Sequence, residues 1–218
     1  MVLRVTATPI DLWGATTPPT EEPALAEWLP GAAAYRRVLN PARSDQGAFR
    51  WQACAGDDFR VDAQTQWPDI RAHRPDVEGR YGTPEMGGLD ADVAAALARV
   101  LRDFTTTPDE VYFMAWEGYA GLKDVYRSSA LISGPNDRNL YVVRGTLDDV
   151  LASVEEPPFK RLPLWWVPAD RAWCVGNDIY ALSAFVGGSE ECATAIAGEG
   201  ALESYVAIAG QSVVPEEF

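Results

Sequence analysis

The sequence predicts a mixed α/β (α+β) fold: one mainly antiparallel sheet flanked by helices. Three observations point there. Short runs of aromatic and β-branched residues, bounded by Pro, Gly, Asn or Asp, cluster in the C-terminal half, close enough to form hairpins. The segment Leu89–Phe104 carries apolar residues at helical spacing. Finally, 47% of the chain is hydrophobic and it holds eight tryptophans, enough large apolar surface to fill a core. The whole chain, residues 1–218, is expected to form a single domain, since no break in composition demands a second.

Taken in order, residues 1–27 read as an irregular N-terminal segment. Leu3 and Val5 suit the start of a strand, but Thr16-Thr17-Pro18-Pro19 forbids regular structure. Good helix formers from Ala32 to Leu39, with Tyr35, Val38 and Leu39 on one face, predict a helix that Asn40-Pro41 stops. Residues 42–88 are the least regular, apart from a short strand at Phe49-Arg50-Trp51. Trp67, Ile70 and Tyr81 stand isolated there, and His73, between Arg71 and Arg74, reads as an exposed loop residue. A long loop of this kind suits a lid or a binding surface. Residues 90–104 form the clearest helix, expected to cover one face of the sheet. Asp90 and Asp92 sit in its first turn, where the helix dipole favours carboxylates.

The strands are expected near residues 111–116, 140–144, 164–167, 172–176 and 180–186. The first runs into Glu117-Gly118-Tyr119-Ala120-Gly121, with neither a dinucleotide fingerprint nor a phosphate-binding loop around it. Tyr119-x-x-x-Lys123 matches a short-chain dehydrogenase pattern and is discounted for that reason. Gly145-Thr146 caps a short helix over Leu147–Val154. The densest stretch is Arg161–Gly188, where two strands flank the turn Pro168-Ala169-Asp170-Arg171 and a third ends at Gly187-Gly188. Ser189 then caps a helix over Glu190–Ala197, Ser204–Ala209 suits a last strand, and residues 211–218 read as a loose acidic tail.

Charge and composition exclude some classes of function. A net charge of −14 opposes binding of nucleic acid through its phosphates and suits a basic protein partner. No apolar run approaches the length of a membrane span, and the N-terminus lacks the pattern of a signal peptide. Three scattered cysteines with no Cys-x-x-Cys pair suggest a reduced, cytoplasmic protein. Cys174 lies within a strand pattern and reads as a small core residue. One histidine and these cysteines cannot make a usual zinc site, so no tightly bound metal and no cofactor are expected, a carboxylate-only calcium or magnesium site being the one alternative.

The candidate binding residues are Trp116, Glu117, Tyr119, Asp170, Arg171 and Asp178. Two readings of the polar members stand. Asp170 and Arg171 form a solvated turn and Asp178 caps a bend; or Asp170 and Asp178 meet a tryptophan edge at one ligand pocket. Carboxylates do acid–base work only where their environments split their pKa values. No catalytic residue is assigned.

Several segments carry a resemblance. They are Leu29-Pro30-Gly31 with Ala34-Tyr35-Arg36-Arg37-Val38-Leu39-x-Pro41, Phe113-x-x-Trp116-x-Gly118-Tyr119, Tyr141-x-x-x-Gly145, Trp166-x-Pro168-Ala169-Asp170-Arg171-Ala172-Trp173-x-Val175, and Gly187-Gly188-Ser189. Together they resemble a family of uncharacterised actinobacterial proteins over about Trp28 to Ser189, the Trp-x-Pro-Ala-Asp-Arg-Ala-Trp segment being the most specific. That family implies no activity, so no catalytic residue carries over; its members often have His where this chain has Asn40. The general plan is also similar in character to the small acidic α/β immunity proteins of the SUKH group, which neutralise bacterial toxins.

Two functions follow as expectations. One is an acidic binding protein, possible partners being basic toxins that it neutralises. The other is a metal-free hydrolase or transferase drawing a carboxylate pair from Glu117, Asp170 and Asp178.

Overall fold

The computed structural model describes residues 3–7, 10, 12–13 and 23–213. In chain order its elements begin with β1 (Arg4–Val5), α1 (Leu25–Trp28), β2 (Ala34–Leu39), β3 (Ala42–Ser44), β4 (Gly47–Phe49) and α2 (Trp51–Ala55). Next come α3 (Trp67–His73), α4 (Val77–Arg80), α5 (Ala91–Arg102), β5 (Val111–Trp116), α6 (Asp124–Arg127), β6 (Ala130–Ser133) and β7 (Asn139–Gly145). A 3-10 helix (Leu147–Leu151) precedes β8 (Trp165–Pro168), β9 (Cys174–Gly176), β10 (Ser183–Gly188), α7 (Glu190–Gly198) and β11 (Ser204–Ala207).

Among the described residues nine strands form one sheet in the order β1-β7-β5-β8-β9-β10-β2-β11, with β6 pairing β7 beside β1. Every pairing in it is antiparallel. The fold is therefore the mixed α+β arrangement that the clustered short strands predict. No helix among the described residues is long and apolar enough to cross a membrane.

Alternation along the strands sorts the tryptophans. Successive side chains of a strand point to opposite faces, so Trp165 and Trp166 serve different layers. Trp166 pairs with Val175, while Trp165 pairs with Gly176. On one face Trp173 donates its indole N–H to the carbonyl of Leu101 at 3.0 Å, tying the start of β9 to the end of α5. Helix α5 is capped by Asp90, which accepts from the N–H of Asp92, and α7 by Ser189, which accepts from Cys192. On the other face Trp165 packs against Trp13 and Trp28, each at 5.1 Å between ring centroids. Its indole lies across Gly176: a Cβ there would stand 2.4 Å from the Trp165 ring.

The structure corrects several expectations. The helix predicted over Ala32–Leu39 is the strand β2, paired on both sides with β10 and β11. Alanine and arginine favour helix locally, but pairing overrides a preference of a few tenths of a kcal/mol per residue, about 0.2–0.7. Both arginines of β2 reach neighbouring chain segments: Arg37 bonds Ser183, Ala63 and Thr65, and Arg36 bonds Ser204. Residues 42–88 are not a long loop. They form the β3–β4 hairpin and helices α2, α3 and α4 around a second core containing Trp51, Trp67, Ile70 and Val77. Helices this short show no readable period. Phe49 ends β4, whereas Trp51 begins α2. His73 closes α3 instead of lying in a loop, with its ring 5.0 Å from that of Phe59 and its Nε2 3.3 Å from the Asp58 carboxylate.

Smaller corrections concern ends. The strand expected at 180–186 runs from Ser183 to Gly188, so the two glycines lie inside β10. Residues 211–213 are not loose: the Gln211 carbonyl accepts from Leu25, Val213 donates to Pro23, and Val213 is buried. The rest of that tail, and the turn expected at residues 16–19, lie outside the described residues. Within the N-terminal segment, Arg4–Val5 does pair with β7.

Candidate functional site

Antiparallel pairing decides which candidate residues meet. Val111, at the start of β5, pairs with Pro168, and Met114 pairs with Trp165. The turn after β8 therefore lies at one end of β5, and Trp116 with its following loop lies at the other. Because Trp165 also pairs with Gly176, Asp178 falls at the Trp116 end. The six residues of β5 separate the two ends by about 17 Å. Trp116, Glu117, Tyr119 and Asp178 thus gather at one end of the sheet, and Asp170 and Arg171 lie at the other. The shared pocket for Asp170 and Asp178 does not exist.

Asp170 is a staple within its turn. Its carboxylate accepts from the Thr105 hydroxyl, from the N–H and hydroxyl of Thr106, and from the N–H of Ala172. Burial alone would raise its pKa, but the Thr106 N–H and these other donors outweigh it and hold the carboxyl below its ordinary value. Arg171 follows with φ at 54°, and its N–H bonds the Pro168 carbonyl. A turn closed by a left-handed residue is a common three-residue hairpin connection.

At the Trp116 end, arginines and aromatic rings alternate. The Arg161 guanidinium lies 5.7 Å from the ring of Phe159 and 5.1 Å from that of Tyr119. Tyr119 meets Trp116 edge to face, at 5.6 Å. Arg138 follows, 5.5 Å from Trp116 and 5.4 Å from Tyr180. Each contact is within cation–π or edge-to-face range. The row ends in exposed rings on both sides, Phe159 and Tyr180 each retaining 46% of their accessible surface.

Buried carboxylates fix the arginines. Glu155, 1% exposed, takes Arg161 at 2.6 Å and the Gly121 N–H at 3.2 Å. Asp178 accepts from Arg138 at 3.2 Å and from Asn136 at 3.0 Å, while its other oxygen accepts from the N–H of Tyr180. Tyr119 is buried and donates its hydroxyl to the Gly87 carbonyl, and burial pushes its pKa well above the ordinary phenol value. Glu117 is exposed and accepts from Asn139.

Local sequence explains how Asn136 and Arg138 arrive there. Pro135-Asn136-Asp137-Arg138 closes with an N–H of Arg138 to the Pro135 carbonyl, and Asn136 and Asp137 take φ of 57° and 53°. Positive φ at both central positions is the tight turn whose twist matches a hairpin, and Asn and Asp tolerate it. The turn joins β6 to β7 and sets Asn136 and Arg138 against Asp178. Sequence reasoning missed Asn136, Arg138, Glu155, Phe159, Arg161 and Tyr180. The Asn-Asp pair between two apolar runs was a readable hairpin signal; the arginine–aromatic pairings, drawn from four separate segments, had none.

No thiol is poised as a nucleophile. All three cysteines are buried, and burial raises the pKa of Cys54 and of Cys192 to about 11 and that of Cys174 further still. Among the described residues no group of His, Cys, Asp and Glu is arranged to hold a metal ion. Searches against protein-family models, curated proteins and solved structures found no match to this chain.

Proposed function

We propose that this chain is an acidic binding protein that recognises a basic protein partner through the arginine–aromatic row, in the manner of a toxin-neutralising immunity protein. The observation that carries the reading is the row itself: Phe159, Arg161, Tyr119, Trp116, Arg138 and Tyr180, with each arginine held from beneath by a buried carboxylate. Tyrosine, tryptophan and arginine dominate interface hot spots. Side chains already held in place lose little entropy on binding. Exposed carboxylates of Glu117, Asp137 and Glu156 border the row, and the chain's net charge is −14, so long-range attraction favours a basic partner. The alternative of a catalytic carboxylate pair gains nothing from Asp170 and Asp178, which stand at opposite ends of the sheet.

Co-purification from a lysate of the source organism at low salt tests the proposal. A basic protein should be captured, and its association rate should fall as salt rises, because surface charges are screened beyond about 8 Å at physiological ionic strength. Trp116→Ala and Tyr180→Ala should each weaken capture about tenfold or more, whereas Asp170→Asn, at the far end, should leave it unchanged. An acidic partner, a rate indifferent to salt, or capture unaffected by the Trp116 and Tyr180 variants overturns the reading.

A further inference from the structure

The sheet ends at β11, which among the described residues pairs with β2 alone. Antiparallel strands turn the N–H and C=O of successive residues alternately to one neighbour and the other. Asn40 donates to Leu182, on the β10 side of β2, and Leu39 donates to Glu203, on the β11 side. Carried along the register, this alternation bonds Tyr205 and Ala207 to β2 and turns the N–H and C=O of Ser204 and Val206 outward. The Ser204 carbonyl is met by the Arg36 guanidinium at 2.7 Å, and the Ile208 carbonyl, just beyond the strand, by the N–H of Gln211. The N–H and C=O of Val206 are met by nothing among the described residues.

The side chains of this edge are as open as its backbone. Val206 and Ile208 retain 68% and 62% of their accessible surface, more than any other large apolar side chain among the described residues. Both line a groove of about 510 Å³ between β11, β2 and α7. Six of its twelve lining residues are alanine, which leaves room beside the strand for a larger apolar side chain. Its charged members are Arg36 and Glu190, one of each sign. Proteins commonly blunt such an edge with a lysine, a proline or a very short strand. Strand β11, Ser204-Tyr205-Val206-Ala207, carries neither residue. At the opposite side of the sheet β1 is two residues long, and one of them is Arg4.

We propose that this edge is covered by a second copy of the chain, the two β11 strands pairing antiparallel about a two-fold axis at Val206. A self-complementary patch on such an axis is the usual geometry of a homodimer. At the axis each Val206 exchanges its N–H and C=O with the other, which meets the one backbone pair that the strand leaves open. Counting outward sets Ser204 opposite Ile208 of the second copy, so the exposed Val206 and Ile208 side chains of both copies meet over the grooves beside α7. Charge selects the occupant. At net charge −14 two copies repel over much of their surface, and a face whose lining is balanced in charge is where they approach most easily. A basic partner finds no excess of carboxylates in this lining to attract it. None of the arginine–aromatic row lines the groove, so the inference does not rest on that row as a recognition face.

Sedimentation equilibrium of the full-length protein tests it. The wild type should sediment at twice its 23.8 kDa at about 10–100 μM and dissociate on dilution. The dimer should tighten as sodium chloride rises, because salt screens the repulsion between two acidic copies. Capture of a basic partner has the opposite salt dependence, so the two readings fail separately. Val206→Glu places like charges opposite each other across the axis and should weaken the dimer about a hundredfold or more. Its circular dichroism spectrum should stay that of the folded chain, since the side chain is exposed. Val206→Cys reads the axis itself: directly opposed residues of a bonded pair lie about 5.5 Å apart at Cα, within reach of a disulfide. Under copper–phenanthroline oxidation that variant should cross-link to a dimer, whereas Leu131→Cys, exposed on β6, should not. The three native cysteines are buried and do not compete. A chain that is monomeric at about 100 μM overturns the proposal. So does a dimer that Val206→Glu leaves intact, or cross-linking as efficient in Leu131→Cys as in Val206→Cys.

Discussion

Trp173 illustrates how a single residue links sequence to packing. Its neighbourhood in the densest aromatic stretch marks it as core, and it is 1% exposed with its indole N–H on Leu101. Trp173→Ala removes that bond and a large buried ring, so the unfolding midpoint in urea should fall by an amount equal to about 3–5 kcal/mol. Asp170 was harder to read. The sequence showed a turn residue, but its donors Thr105 and Thr106 come from the loop after α5, some sixty positions earlier. Asp170→Asn should cost about 1 kcal/mol at pH 7. The sign of its pH dependence follows from the lowered pKa: the contribution is present above the unfolded carboxyl value and lost as pH falls through the folded one. Wild type and variant should therefore converge in stability as pH falls below the ordinary carboxyl range, measured by urea unfolding across acid pH. Gly176 gives a steric test. Since a Cβ there meets the Trp165 ring, Gly176→Ala should destabilise by about 1–3 kcal/mol, and a level midpoint would mean that the ring moves aside freely.

At the scale of elements, legibility followed the range of the interactions. Strands β5, β7, β8 and β9 and helix α5 were readable because their apolar patterns are local. The strand β2 was not, because its two arginines gain their partners from β10, β11 and the segment around Thr65, none of which leaves a trace nearby. The region 42–88 looked irregular because helices of five, seven and four residues cannot display a period. The β6–β7 turn lies between these cases, and it controls the candidate site by presenting Asn136 and Arg138 to Asp178. Asp137 supplies a test: its φ of 53° is a conformation that glycine adopts without cost and β-branched residues resist. Asp137→Gly should be neutral or stabilising by up to about 1 kcal/mol, whereas Asp137→Val should cost about 1–3 kcal/mol. Equal thermal midpoints for the two variants would show that the turn does not hold this geometry in solution.

The molecule as a whole is governed by its charge: 32 carboxylates against 18 basic side chains. Two electrostatic effects compete. Ion pairs stabilise, and salt weakens them; net repulsion destabilises, and salt relieves it. Most pairs here are exposed on at least one side, such as Arg71 with Glu78 and Arg127 with Asp124, and exposed pairs contribute only about 0–1 kcal/mol each. The pairs with a buried carboxylate, Glu155–Arg161, Asp178–Arg138 and Asp90–Arg43, are better shielded from mobile ions and should respond less. An excess of fourteen negative charges, by contrast, acts over the whole surface and is what salt screens best. Repulsion should therefore win. The thermal unfolding midpoint should rise as sodium chloride is increased from low to physiological concentration, with potassium chloride giving the same result because the effect is one of screening. A midpoint that falls over this range would mean that the ion pairs outweigh the repulsion. The negative field would then be locally compensated, and the electrostatic argument for a basic partner would lose its foundation.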